Sequence, residues 1–369
     1  NFIPSNRKPT GLKQILMYFT RYDSIRNGIY AVSFILLREM HSMNPLFFVL
    51  SVIILAIVAY YSYIYISIKT NIKWYNSPPS EGKITNNEET NLHIRVEGTD
   101  DPTVLVINSI GSSQAEWWTI QDKLKDKCRV ITYDRAGYGF SKESENPRTA
   151  SNICDELDKL LEQEKVDKPV ILVSHGSGVI YARYYAATRP EKVVKALFIN
   201  PLPLDFKTWL NEANSCEDCP NLFEMTLNKS KNASKGIYRI ISPIKGWNPR
   251  NNPYKRFIEE HYTSSKNHKN TQGELAEFMT IIDELEQMQF PPIPLKIMRS
   301  SIEFLIRDWV KNGMSEYSAR QLGRLHEKIA NDILTLSPDS SVVELDGQGE
   351  NIHLENPDII AETISEMVG

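Results

Sequence analysis

Between Leu46 and Ile66 the chain runs for 21 residues without a charge, on Phe, Val, Ile, Leu, Ala and Tyr. At about 1.5 Å per residue this run crosses roughly 30 Å, the depth of a bilayer's hydrocarbon core, and predicts one transmembrane helix over 46–67. Tyr60, Tyr61, Tyr63 and Tyr65 gather at its downstream end, as interfacial aromatics do. Upstream, Ile15 to Phe19 and Ile25 to Met40 alternate apolar and basic residues at helical spacing. Residues 1–45 therefore read as an amphipathic, basic segment that lies on a membrane surface or docks a partner. Downstream the pattern changes to short apolar, β-branched runs. Leu92 to Val96, Thr103 to Asn108, Val170 to Val173, Val193 to Ile199 and Leu295 to Met298 read as strands, most of them buried. Gly178 to Ala187 and Glu274 to Gln289 read as helices, and residues 68–81, with Ser77-Pro78-Pro79-Ser80, as a linker. The rest, 82–369, is long enough for one domain with a full core.

Charge adds orientation and excludes one class of partner. A formal net charge of −4 gives no case for nucleic-acid binding. Arg7, Lys8, Lys13, Arg21, Arg26 and Arg38 precede the apolar run, against Lys69 and Lys73 just after it. The positive-inside rule then places the N-terminus on the cytoplasmic or matrix side, with the mitochondrial inner membrane as one candidate. Asn1 rather than Met opens the chain, and a removed targeting peptide is one explanation. Cys216 and Cys219 form a lone C-x-x-C, read either as a disulfide or as two free thiols, while Cys128 and Cys154 read as packing residues. No metal-ligand cluster, phosphate loop or dinucleotide fingerprint occurs, so no cofactor and no metal is expected.

The candidate chemistry begins at Ile171-Leu172-Val173-Ser174-His175-Gly176-Ser177-Gly178, a strand running into a helix through a glycine-rich turn. Asp134-Arg135-Ala136-Gly137-Tyr138-Gly139-Phe140-Ser141 follows an earlier strand, and Ser109-Ile110-Gly111-Ser112-Ser113 follows Thr103 to Asn108. Asn200-Pro201 ends another strand, and Gly347 to Pro357 includes Glu350-Asn351-Ile352-His353-Leu354-Glu355. In this order the motifs resemble those of the α/β-hydrolase fold superfamily from about Gly82 to Val368. The resemblance implies a mostly parallel central sheet flanked by helices, with a helical lid over about 204–290. It also implies that the His-Ser-x-Gly elbow, the oxyanion loop and the terminal histidine segment converge on one site.

Against that pattern the chain departs where the reaction is carried. Gly176 stands at the nucleophile position, and the positive φ required at the apex suits glycine. Ser177 is then expected to open the helix with its hydroxyl turned from the cleft. Glu350 stands at the general-base position, where a carboxylate cannot do the work of a neutral imidazole near pH 7. Glu303, after the strand Leu295 to Met298, takes the acid position. Ser109 replaces a glycine of the oxyanion loop, and His175 and His353 remain as companions of the remnant cleft. His93, His261, His268 and His326 read as ordinary surface or core histidines. These departures imply a pseudoenzyme, a membrane-anchored structural or binding accessory subunit of a larger membrane complex, with a respiratory assembly as one setting. The alternative is an active membrane-bound esterase or lipase using Ser177 or Ser174 as nucleophile and His175 or His353 as base.

Overall fold

Eight strands form one sheet in the order β1-β2-β4-β3-β5-β6-β7-β8, and that order explains where the site must lie. A computed structural model describes residues 44–369 except 78, 86–90, 100, 216–218, 220–221, 240, 242–243, 245–250 and 312. The basic segment expected over residues 1–45 lies almost wholly outside the described residues, as does Cys216. The chain divides into two units, Asn1–Ile66 and Ser67–Gly369.

The first helix, α1, spans Pro45–Tyr75, and among the described residues it is the one helix long and apolar enough to cross a membrane. Most of its large apolar side chains from Leu46 through Ile66 are exposed. The helix does not stop at residue 67, so the expected linker is corrected over 68–75. Within the second unit Asn71 Nδ2 donates to Glu260 Oε2 at 2.8 Å. The Trp74 ring meets Phe257 edge-on at 5.1 Å, and the Tyr75 ring lies 5.2 Å from Phe140. These contacts pack one side of the last turn and carry the helix past Lys69 and Lys73, where hydropathy alone would end it.

The sheet begins with β1 (Lys83–Ile84) and β2 (His93–Glu97), followed by β3 (Thr103–Ile107). Helix α2 (Trp118–Leu124) leads to β4 (Arg129–Tyr133), and α3 (Ala150–Gln163) leads to β5 (Val170–His175). After β5 come α4 (Val179–Thr188) and β6 (Val193–Ile199). Helices α5 (Phe206–Ser215), α6 (Leu222–Ser234), α7 (Lys255–Thr263) and α8 (Ser265–Glu286) lie between β6 and β7 (Leu295–Ser300). Then follow α9 (Ile302–Lys311), α10 (Glu316–Ala330), β8 (Ser340–Leu345), the short α11 (Ile352–Glu355) and α12 (Pro357–Val368). The β1-β2 and β2-β4 pairs are antiparallel and all later pairs are parallel.

A strand buried on both faces reads as a continuous apolar run, and β3 shows why. Val104 and Val106 pack on one side with Trp117, Leu124 and Ile360, while Leu105 and Ile107 pack on the other with Leu157, Tyr181 and Ile281. Each such side chain contributes about 1.5–3 kcal/mol on burial, so the two cores hold the sheet between helical layers. From β3 the chain builds toward β4 on one side and toward β5 on the other. At such a switch point the loops leaving β3 and β5 diverge over a crevice, where ligands of open α/β sheets bind.

Candidate active site

Gly176 follows β5 directly and has φ +55°, the left-handed conformation expected at the apex of the elbow. Residues Gly176–Gly178 form one short turn before α4 begins at Val179. Gly178 is equally constrained, because a β-carbon there would fall 2.4 Å from the Asn108 carbonyl oxygen. The elbow thus retains the strained backbone that would present a nucleophile, with no side chain at its tip.

The space is taken by Ser109. Its Oγ lies 2.6 Å from where a β-carbon on Gly176 would stand. The same hydroxyl donates to the His175 carbonyl oxygen at 2.6 Å and lies 3.0 Å from His175 Nδ1. On the far side of the ring, His175 Nε2 donates to the Glu350 carbonyl oxygen at 2.8 Å. Since a carbonyl can only accept, Nε2 carries the proton and Nδ1 of the neutral ring is an acceptor. Burial, reinforced by the neighbouring His353, pushes the His175 pKa down to about 3. A base that weak takes little of a serine's proton at neutral pH.

Ser177 corrects the expectation that its hydroxyl turns away. Its Oγ accepts a hydrogen bond from the Ile110 amide at 2.9 Å. In the elbow template the oxyanion donors are the amide after the nucleophile and one from the loop after the third strand. Here those are the amides of Ser177 and Ile110, and a serine hydroxyl already occupies the second. The Ser174 hydroxyl is buried and donates to the Ile107 carbonyl at 2.8 Å, which removes it from the cleft.

The loop that carries Ser109 is clamped from below. Arg135 makes a two-pronged pair with Glu274 of α8, Nε to Oε1 and Nη2 to Oε2 at 2.8 Å each. The same guanidinium donates to the Asn108 carbonyl at 2.6 Å and the Ser109 carbonyl at 3.0 Å. Arg135 and Glu274 are both almost wholly buried. The Asp134-Arg135 motif therefore joins the oxyanion loop to the helices between β6 and β7.

His353 packs beside the site, as its place in the sequence implies. Its ring stacks on Trp117 at 4.9 Å, lies 4.4 Å from the His175 ring, and donates from Nε2 to Glu116 Oε2 at 2.9 Å. Burial alone would raise the Glu116 pKa, but His353, the Ser113 amide and the Tyr262 hydroxyl together hold it below the ordinary carboxylate value. The Nε2 of His353 is thereby committed to Glu116 rather than to an elbow residue.

Glu350 does reach the cleft. The residue is exposed, and its side chain lines the cavity wall. Desolvation beside that wall, with the weaker negative charges of Asp308 and Glu355, raises its pKa against the opposing charge of Lys229. Glu303 does not. It opens α9 on the outer surface, 64% exposed, with Arg320 Nη1 at 3.8 Å. The structure therefore brings Gly176, Ser109, His175, Ser177 and Glu350 together and leaves Glu303 outside.

Asn200 holds this assembly at its other edge. Its backbone is left-handed at φ +43°. Its Nδ2 donates to the Glu350 carbonyl at 2.8 Å, and its Oδ1 accepts from the Ser300 amide at 2.8 Å. The sequence signal was Asn200-Pro201 at the end of β6. The three loop ends tied by this side chain could not be seen there.

Beside Ser177 and Glu350 opens a cavity of about 310 Å³, walled by Phe206, Trp209, Phe278 and Trp309 among others. It lies over the carboxyl end of β7 and under α5, α8, α9 and α10. His326, expected to be an ordinary histidine, is part of its wall. Among the described residues no cluster of His, Cys, Asp and Glu could hold a metal ion. Cys219 is disulfide-bonded, and Cys128 and Cys154 are free and buried.

Comparison with known proteins bears on the fold. Residues 102–272 match the family model described as alpha/beta hydrolase fold. An AB hydrolase superfamily protein of Gibberella zeae is 24% identical over 293 residues, covering 73% of this chain and 87% of that protein. A 3-oxoadipate enol-lactonase of Acinetobacter baylyi is 30% identical over 86 residues, covering 23% of this chain and 32% of that protein. Among solved structures, the Cif epoxide hydrolase of Acinetobacter nosocomialis superposes with a TM-score of 0.62 at 16% identity, over 84% of this chain and 95% of that one. A carboxylesterase of Nitrososphaera gargenis gives 0.52 at 15% identity, over 77% and 97%. At these identities the structural likeness is one of fold.

Proposed function

We propose that this chain, which has the α/β-hydrolase fold and matches that family model over residues 102–272, is a catalytically silent, membrane-anchored member acting as a binding or structural accessory in a membrane protein complex. One observation carries the reading. The elbow apex is Gly176, and the two hydroxyls beside it are engaged by backbone groups, Ser109 by the His175 carbonyl and Ser177 by the Ile110 amide. Removing the serine or histidine of a Ser-His-Asp triad costs about 10⁶ in turnover, and removing both costs little more. In this reading the single span of α1 anchors the domain, and the excess of basic residues before it favours an N-terminus on the cytoplasmic or matrix side.

A second reading, an ester hydrolase with a displaced nucleophile, is favoured by one contact, the 3.0 Å approach of Ser109 Oγ to His175 Nδ1. The low basicity of His175 and the occupied Ile110 amide weigh against it. Hydrolysis of short-chain p-nitrophenyl esters by the purified full chain separates the two. The silent reading expects no turnover above the Ser109→Ala variant. Turnover abolished by Ser109→Ala would establish the second reading and defeat the first.

A further inference from the structure

Ile68, Asn71, Ile72 and Tyr75 recur at i, i+3, i+4 and i+7, one face of the last two turns of α1. All four line a cavity of about 530 Å³ within the second unit, shared with the Phe140–Glu143 loop, the Gly236 turn and the start of α8. Ile68 and Ile72, with Ile84 of β1, give it an apolar wall that is exposed. The same lining carries Lys142, Arg239 and Lys266 against one carboxylate, that of Glu143. Arg239 is held by Glu260 at 2.9 Å. Lys266 instead donates to the Ser141 and Gly139 carbonyls at 2.8 and 3.1 Å, and its ammonium lies 5.7 Å from the centre of the Tyr75 ring. An ammonium has three N–H donors, so one remains beyond those two carbonyls. Burial lowers the Lys266 pKa against the attraction of Asp134 and Glu143, and an anion beside it would favour the charged form.

We propose that this cavity takes the head end of a bilayer phospholipid, with the phosphate at Lys266 and Lys142 and the first carbons of the chains against Ile68, Ile72 and Ile84. Depth selects this occupant. Ile68 and Ile72 follow Ile66 of the span by two and six positions, so at about 1.5 Å per residue they stand roughly 3–9 Å past its end. That is the level of the headgroup layer, which adds roughly 5–8 Å to each side of the hydrocarbon core. Basic side chains at that level attract lipid phosphates, and a soluble phosphate would leave the isoleucine wall wet. The inference rests on the membrane-anchored reading of α1, and on nothing in the reading of the elbow.

The test is native mass spectrometry of the full chain in non-ionic detergent, titrated with dioleoyl phosphatidylglycerol, with phosphate-free dioleoylglycerol, and with soluble glycerol 3-phosphate. One phosphatidylglycerol is expected to be retained, dioleoylglycerol to bind at least about fivefold more weakly, and glycerol 3-phosphate not to bind. Ile72→Trp fills the cavity from an exposed position and should abolish retention. Lys142→Glu, also at an exposed position, should weaken it about fivefold or more, while Lys125→Glu, which lines no part of the cavity, should leave it unchanged. Equal binding of phosphatidylglycerol and dioleoylglycerol, no retained phosphatidylglycerol, binding of glycerol 3-phosphate as tight as that of the lipid, or native affinity in both Ile72→Trp and Lys142→Glu would overturn the proposal. Alkaline carbonate extraction of membranes separates this from the anchor: a chain that stays in the membrane but retains no phospholipid defeats the lipid site alone, and a chain released by carbonate defeats the membrane-anchored reading and the lipid site with it.

Discussion

Ser109 Oγ stands 2.6 Å from the point that the β-carbon of any side chain at Gly176 would occupy. The two residues follow neighbouring parallel strands, β3 and β5, so their backbones are held in register by the sheet itself. A serine at 176 would therefore need Ser109 to turn out of its bond to the His175 carbonyl before it could take up its own position. Gly176 and the Ser109 hydroxyl therefore form one structural unit.

Gly176→Ala should destabilise the domain by about 1–2 kcal/mol, because an L-residue is forced into the left-handed region. Adding Ser109→Gly removes the contact but not the backbone strain. Thermal midpoints of both single variants and the double should give a favourable coupling of about 0.5 kcal/mol or more, and strict additivity would mean that the contact carries no energy.

Ser177→Ala takes away the acceptor of the Ile110 amide. An amide left without a partner costs about 1–3 kcal/mol if it stays dry and less if water reaches it. Hydrogen exchange in the peptide containing Ile110 should accelerate in this variant, with peptides of β7 and β8 unchanged. Native protection at Ile110 would show that another group holds the loop.

Arg135→Met should be among the most damaging single changes in the domain, at about 3–5 kcal/mol, because it strands the Glu274 carboxylate in the core and frees the Asn108 and Ser109 carbonyls. Arg135→Met with Glu274→Leu should recover part of that loss. A double variant no more stable than Arg135→Met would mean that the clamp on the β3 loop, and not the ion pair, dominates.

Glu350 gives a pH signature whose sign follows from its desolvation. A carboxyl with a raised folded-state pKa binds its proton more tightly in the folded state, so its contribution is most favourable below the ordinary carboxylate pKa and is lost as pH rises through the folded value. Glu350→Gln should therefore raise the unfolding midpoint at pH 7 and change it little at pH 4. A lower midpoint at pH 7 would indicate that the carboxylate is stabilised by a partner.

The elbow was legible in the sequence because its requirement is local. A strand of Val and Ile followed by Gly176 and Gly178 encodes the positive φ and the close approach to Asn108 within a few residues. What the serines do was not legible. The partners of Ser109 and Ser177 are supplied by another strand's loop, and only the pairing of β3 with β5 makes them neighbours. Glu303 was misplaced because α9 starts immediately after β7 and turns its first carboxylate outward toward Arg320. The end of α1 was set by Trp74 and Tyr75 against Phe257 and Phe140, contacts that hydropathy cannot record.

The central claim is that no activated serine exists in this domain. Its most direct test is exposure of the purified full chain to a fluorophosphonate probe, with labelled peptides mapped by mass spectrometry, beside a Ser109→Gly, Gly176→Ser, Glu350→His variant that clears and refills the site. The account predicts no labelled serine in the native chain and, if the refilled elbow is competent, labelling at position 176 of the variant. A native chain labelled stoichiometrically at Ser109, Ser174 or Ser177 would contradict it.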